Sequence, residues 1–331
     1  MKAVLMTRPG GPEVLELRDI AEPVITLPTQ IKVRLKAAGV NPVDTKLRRN
    51  GLLYPDALPA VLGCDGAGEV VAVGEEVRRF QVGDRVWFCN GGLGGEPGNY
   101  AQYTVLDQRW AAPIPQSLDF QEAAAGPLVL ITAWGMLYDR ARLQAGQTVL
   151  IHGGTGGVGH VALQLAKLRG ARVLTTVGSA EHAERALQWG ADQTINYQEQ
   201  DFVAEVNALT GGAGADVVVE LVNPEVFRRS IECTAHFGDL VTLLDPGAFS
   251  CQEARARNLR IGFELMLTPM LRKLDTARDH QVEILQRCSE LIDQGRLRLH
   301  VSHVFPLEEA AAAHRQVESG HTVGKVVLSI P

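Results

Sequence analysis

One stretch constrains the fold more than any other: His152-Gly153-Gly154-Thr155-Gly156-Gly157-Val158-Gly159. It follows the apolar run Thr148-Val149-Leu150-Ile151 and opens a segment with Val158, Val161, Ala162, Leu165 and Leu168 on one stripe. The run suits a parallel strand covered on both faces, and the stripe suits an amphipathic helix. Gly154, Gly156 and Gly159 satisfy G-x-G-x-x-G in the strand–turn–helix setting that gives the pattern its meaning. In that setting Gly154 makes the tight turn, Gly156 admits a pyrophosphate to backbone N–H groups, and Gly159 lets helix and strand pack. The helix start adds about half a positive charge where phosphate would land. A tight turn without a ligand is the bland alternative, and the flanking strand–helix alternation weighs against it.

That alternation continues after the loop. Strands are predicted at Arg172 to Val177, Gln193 to Asn196, Asp216 to Leu221 and Leu240 to Leu244. Helices are predicted from Ala180 to Trp189, around Asp201 to Leu209, and from about Glu225 to Ala235. The cadence implies right-handed crossovers and an α/β, doubly wound parallel Rossmann sheet. The N-terminal third reads differently. Gln30 to Lys36 alternates polar and apolar, and Gly66 to Gly74 and Asp84 to Phe88 are short strands closed by Gly and Pro turns. This texture predicts a compact, barrel-like β domain. A long helix from about Thr276 to Gln294 and strands at Val301 to Phe305 and Lys325 to Ile330 return to it, making it discontinuous. The expected division is 1–126 with 269–331 for the β domain, and 127–268 for the nucleotide domain.

Composition removes several function classes. Lys and Arg total 32 against 38 Asp and Glu, a net charge of −6, which offers no basic field for nucleic acid or anionic lipid. The uncharged, apolar stretch Ala123 to Tyr138 is broken by Gly126-Pro127 and falls short of the roughly 20 residues that span a bilayer. Five widely spaced cysteines with no Cys-x-x-Cys favour neither a disulfide scaffold nor a zinc knuckle, so a reducing cytoplasm is expected.

The end of the second nucleotide-domain strand bears on cofactor choice. NAD sites usually place Asp or Glu there, about 20 residues past the glycines, to bind the ribose 2′-hydroxyl. This chain has Thr176-Val177-Gly178-Ser179, with Ser179, His182 and Tyr197 as donors for a 2′-phosphate and Glu181 as the nearest acid. NADPH is the predicted cofactor. Ser179 also reads as a plain helix N-cap, which is compatible with phosphate contact.

Taken in order, several short motifs resemble the medium-chain dehydrogenase/reductase superfamily, and within it the zinc-free quinone oxidoreductase group that includes zeta-crystallin. They are Ala38-Gly39-Val40-Asn41-Pro42-Val43-Asp44, Leu62-Gly63-Cys64-Asp65-Gly66-Ala67-Gly68, Val82-Gly83-Asp84-Arg85-Val86 and Thr132-Ala133-Trp134, then the glycine loop. Gly190-Ala191-Asp192, Ile195-Asn196-Tyr197 and Gly324-Lys325-Val326-Val327-Leu328 complete the set, so the resemblance covers nearly the whole chain. It implies a GroES-like β-barrel domain beside the Rossmann domain.

The resemblance also implies that no metal is held. Zinc-dependent relatives carry Cys at Asn41, Gly-His-Glu at Gly63-Cys64-Asp65, and a Cys or similar ligand near Leu128. Cys64 alone cannot replace three ligands, and it reads either as a reactive thiol or, more commonly, as a buried structural one. Without zinc, the implied chemistry is hydride transfer from NADPH to a quinone or similar conjugated carbonyl. The protein's share is to position the acceptor and stabilise the oxyanion that develops.

Asn41, Tyr54 and Thr132 are the implied catalytic residues. Asn41 is an amide donor or an Asx turn before Pro42, and Tyr54 lines the quinone pocket or packs in a surface loop. Thr132 lies beside the nicotinamide or is a helix-start hydroxyl. The implied cofactor contacts are Asn41, Pro42, Thr132, Gly154, Thr155, Gly156, Gly157, Val158, Gly178, Ser179, His182, Tyr197, Leu244 and Lys325. Lys46 stands where bacterial relatives carry Tyr, and His182 where many carry Lys. The loop Asn90 to Tyr100 reads as a lid or turn rather than a phosphate cradle, since no helix follows it. Met266, Met270 and Leu271 read as pocket, interface or core. The alternatives are an enone or enoyl double-bond reductase on the same scaffold, and a non-catalytic NADPH-binding sensor or RNA-binding protein. A homodimer is implied, with no membrane or nucleic-acid partner.

Overall fold

In the computed structural model the chain forms two compact units, Met1–Leu128 with Leu267–Pro331, and Val129–Met266. Residues 1–331 are described, apart from the side chain of Pro55. The first unit begins with β1 (Lys2–Met6), β2 (Leu15–Asp19), β3 (Gln30–Val40), β4 (Ala60–Val61), β5 (Asp65–Val73), β6 (Arg85–Cys89), β7 (Tyr103–Asp107) and β8 (Ala112–Pro113). Inward residues of β3 alternate with half-buried ones (Ile31, Val33 and Leu35 are buried), because one face of this strand covers the core and the other meets solvent. A helix, Pro42–Asn50, leaves the end of β3 with Pro at its first position, where the missing N–H costs nothing.

The second unit is built on β9 (Thr148–Ile151), β10 (Arg172–Val177), β11 (Gln193–Asn196), β12 (Ala215–Glu220), β13 (Thr234–Thr242) and β14 (Arg260–Phe263). They lie in the order β11-β10-β9-β12-β13-β14, and every pairing is parallel. The order reverses between β9 and β12, and crevices at the carboxyl ends of such reversals are where doubly wound sheets bind ligands. Val149, Leu150 and Ile151, with Val217, Val218 and Val219 beside them, are fully buried, as the unbroken apolar runs require.

The chain then returns to the first unit through the helix Asp275–Asp293, β15 (Val301–Pro306), the helix Ala310–Glu318 and β16 (Lys325–Ser329). The order β15-β16-β3-β5-β6-β8 makes a seven-stranded sheet with β7, which also pairs β3. Antiparallel pairing sets Val326 opposite Val40, which brings Lys325 to the end of β3.

Candidate active site

In the second unit the glycine loop has a division of labour that differs from the sequence reading. The left-handed residue of the turn is Gly153, with φ 67°, and not Gly154. Gly154 is required by close approach instead, since a Cβ there would lie 2.1 Å from Thr175 Oγ1 on β10. A Cβ at Gly159 would lie 2.2 Å from the Gly153 carbonyl oxygen, so the helix Gly159–Leu168 could not seat against the turn. At Gly156 a Cβ would meet only the Gly153 oxygen, at 3.4 Å. That spare space beside a helix N-terminus fits a dinucleotide pyrophosphate. Thr155 is buried in the turn, and Gly157 and Val158 are half-buried at its end.

At the carboxyl end of β10, Ser179 caps the helix Ala180–Gln188 by accepting the His182 N–H at 3.2 Å. The N-cap role is therefore the one present. A serine hydroxyl that accepts in this way still has its own hydrogen to donate. His182 is half-buried beside it, and a Cβ at Gly178 would lie 2.7 Å from the Tyr197 hydroxyl. Gly178, Ser179, His182 and Tyr197 thus lie together beyond the carboxyl ends of β10 and β11. Leu244, on the other half of the sheet, donates its N–H to Thr242 Oγ1 at 3.1 Å. Thr132 is buried in the helix Pro127–Trp134, near its end rather than its start.

In the first unit Asn41 is 1% exposed and its amide is fixed at both ends. Nδ2 donates to Asp65 Oδ2 at 2.9 Å, and Oδ1 accepts from the Lys325 ammonium, which also donates to the Val40 carbonyl at 3.3 Å. Lys325, 3% exposed, stands 3.8 Å from Asp65 Oδ2, while Asp65 Oδ1 accepts the Leu128 N–H at 2.9 Å. Burial lowers the Lys325 ammonium and raises the Asp65 carboxyl, and each charge opposes the shift of the other. The side chain of Lys325 is therefore committed inside the unit.

Pro42 is exposed at the start of its helix. One turn on, Asp44 accepts the Asn41 N–H at 2.8 Å and the Tyr100 hydroxyl at 3.1 Å, and that hydroxyl is 3.2 Å from His314 Nε2. Burial pushes Asp44 up to about 7, with the Asn41 N–H opposing and the Asp65 carboxylate adding to the rise.

Cys64 is buried, and contact with the Cys89 thiol together with burial holds it well above the usual thiol range. Burial and a raised thiol are the surroundings of a structural cysteine. Tyr54 is 43% exposed, and its ring edge would be 3.3 Å from a Cβ at Gly95. That places it on the glycine-rich loop. The loop is a pinned turn and not a lid: Asn99 Nδ2 donates to the carbonyls of Gly63, Cys64 and Asn90, and Asn90 Nδ2 donates to Glu96 at 2.9 Å. Among the described residues no three His, Cys, Asp or Glu are grouped to hold a metal, and no helix is long and apolar enough to cross a membrane.

Sequence reasoning named Asn41 and Lys325 separately but missed that Asp65 joins them. It also missed Tyr100 and His314, and the buried carboxylate Glu220 at the end of β12. The only sequence signal for Glu220 is an acid closing the apolar run Val217-Val218-Val219.

Comparison with known proteins agrees with this architecture. Residues 27–116 match the alcohol dehydrogenase GroES-like domain, and residues 189–328 match the zinc-binding dehydrogenase domain. The quinone oxidoreductase of Pseudomonas aeruginosa is 36% identical over 325 residues, covering 96% of each chain. The Escherichia coli quinone oxidoreductase complexed with NADPH superposes with a TM-score of 0.89 at 31% identity, over 99% of this chain and 100% of that one. A structure described as an NAD-dependent alcohol dehydrogenase superposes with a TM-score of 0.90 at 36% identity, over 100% of both chains. A GroES-like unit and a glycine-loop Rossmann unit on one chain define an oxidoreductase of the medium-chain dehydrogenase/reductase type. Within that superfamily, the chain belongs to the quinone oxidoreductase family.

Proposed function

We propose that this enzyme transfers a hydride from NADPH to a quinone or a similar conjugated carbonyl, without zinc. The observation that carries the zinc-free reading is the Asn41 amide. Its nitrogen is given to Asp65 and its oxygen to the Lys325 ammonium, so a metal at that oxygen would face a fixed positive charge. Leu128, at another expected ligand position, offers only an apolar side chain. The preference for NADPH is supported by the donors at the end of β10, where Ser179, His182 and Tyr197 gather and no carboxylate ends the strand.

NADPH, when bound, supplies the hydride. The residues of the chain then have three tasks. The N–H groups at the glycine turn hold the pyrophosphate, and the donors at the end of β10 hold the 2′-phosphate. Asn41 keeps a second Nδ2 hydrogen for a developing oxyanion. Tyr54, the one exposed hydroxyl of the predicted set in the first unit, donates a hydrogen bond or a proton to the acceptor, and Thr132 holds the nicotinamide. The open edge of β14 supports a homodimer, and five free cysteines support the cytoplasm.

The test is loss of reduced-nicotinamide absorbance with NADPH and NADH in parallel, against an ortho-quinone, an enone and a simple aldehyde. Fast quinone-dependent NADPH loss, slow with NADH and indifferent to a chelator, is expected. Enone turnover without quinone turnover would move the assignment to double-bond reduction. Cofactor binding with no acceptor reduced would remove the catalytic reading.

A further inference from the structure

Glu220 is fully buried at the carboxyl end of β12, next to the reversal of strand order, in register with Thr242 of β13. A buried carboxylate is costly unless its oxygens are taken up by donors. Here three donors converge on it. Oε1 accepts the N–H groups of Val222 at 2.5 Å and Asn223 at 2.7 Å, and Oε2 accepts the Thr242 hydroxyl at 2.8 Å. Thr242 Oγ1 in turn accepts the Leu244 N–H. One carboxylate therefore organises the chain leaving β12 and, through Thr242, the chain leaving β13.

The first of these segments borders the glycine turn. Val222 Cγ2 is 3.5 Å from the Cβ position of Gly153, and the His152 N–H donates to the Val219 carbonyl at 2.9 Å. In a doubly wound sheet each half binds one mononucleotide, and the ligand spans the crevice at the reversal. The donors for the phosphorylated adenosine lie at β10 and β11. The segments held by Glu220 lie on the other half.

We propose that Glu220 is a positioning residue for the nicotinamide half of the dinucleotide, acting by fixing Val222, Asn223 and Leu244. The proposal rests on the dinucleotide reading above and deepens it. A glutamine at 220 keeps the volume but turns one acceptor into a donor, so it cannot accept from both segments at once.

The test compares E220Q with the wild-type enzyme by fluorescence or calorimetric titration. NADPH and NADH are the full ligands, and adenosine 2′,5′-bisphosphate and ADP carry only the adenosine half. The expected result is about tenfold weaker binding of whichever dinucleotide the wild type prefers, with adenosine nucleotide affinity unchanged. Thr242→Val takes the hydroxyl from Glu220 Oε2 and the acceptor from the Leu244 N–H but leaves Val222 and Asn223 on Oε1, and is expected to shift binding in the same direction by less. It carries the comparison if E220Q does not fold. Equal dinucleotide affinity in folded variant and wild type would overturn the proposal, and so would an equal loss for dinucleotide and adenosine ligands. A wild-type enzyme that binds no dinucleotide would sink the reading beneath it, whereas one preferring NADH would correct only the cofactor assignment.

Discussion

Gly156 and Gly159 are three residues apart in one motif, yet their substitution is expected to fail for different reasons. A methyl at Gly159 would press on the backbone of Gly153 and Gly154, which cannot move aside as a flexible side chain can. Gly159→Ala is therefore expected to cost about 1–3 kcal/mol in stability, the usual range for overpacking. A methyl at Gly156 has ordinary room within the protein. Gly156→Ala should leave stability within about 0.5 kcal/mol and weaken NADPH binding, because the methyl takes the space meant for the ligand. Thermal melts and NADPH titrations of the two variants separate these outcomes; a Gly156 variant that binds normally would contradict the pyrophosphate site. The motif itself was legible because its spacing is local. The assignment of turn and close approach within it was not, since Gly153 and Gly154 differ only in backbone angle and in the neighbour brought up by β10.

Among the elements, strand pairing across the whole chain decides the chemistry of the first unit. The register of β16 on β3 delivers Lys325 to Asn41 and Asp65, and no local pattern in Gly324-Lys325-Val326 announces a buried ion pair. Removing one partner of such a pair leaves an uncompensated charge, so Lys325→Met is expected to cost about 3–5 kcal/mol by denaturant titration. A loss near that of an exposed lysine would show that Asp65 is not charged in the folded protein. The parallel sheet was readable because strands buried on both faces carry unbroken apolar runs such as Val149-Leu150-Ile151 and Val217-Val218-Val219. Among the helices that went unread are Pro42–Asn50 and Ala310–Glu318. The first is short and charged, with Asn41-Pro42 reading equally as a turn. The second is an alanine run before Gly320 that carries a helix signal of its own. β14 is short, with Arg260 and Phe263 exposed at its two ends, and its place at the sheet edge depends on β13.

For the molecule as a whole, buried titratable groups pull stability in opposite directions as pH changes. His152, between the hydroxyls of Thr176 and Ser230 in the second unit, and His314, beside Tyr100 in the first, are each lowered by burial to about 3. Below the ordinary imidazole value of 6.5 the unfolded chain binds protons that these folded imidazoles refuse, so their contribution to stability is lost as pH falls from about 6.5 toward 3. Asp44 has the opposite sign. Its carboxyl is raised from 3.8 to about 7, so between those values the folded chain keeps a proton that the unfolded chain releases. Its contribution is present at low pH and declines by about 1.4 kcal/mol per unit as pH rises through that window. Asp44→Asn removes this decline while its amide oxygen can still accept the Asn41 N–H. The variant should therefore gain on the wild type by about 3 kcal/mol between pH 5 and pH 7.5, read as the difference in denaturation free energy at each pH. Its own acid loss, left to the two imidazoles and the other acids, should be steeper than that of the wild type. Parallel profiles for the two proteins would mean that Asp44 is ionised in the fold, with the Asn41 N–H and the Tyr100 hydroxyl outweighing its burial.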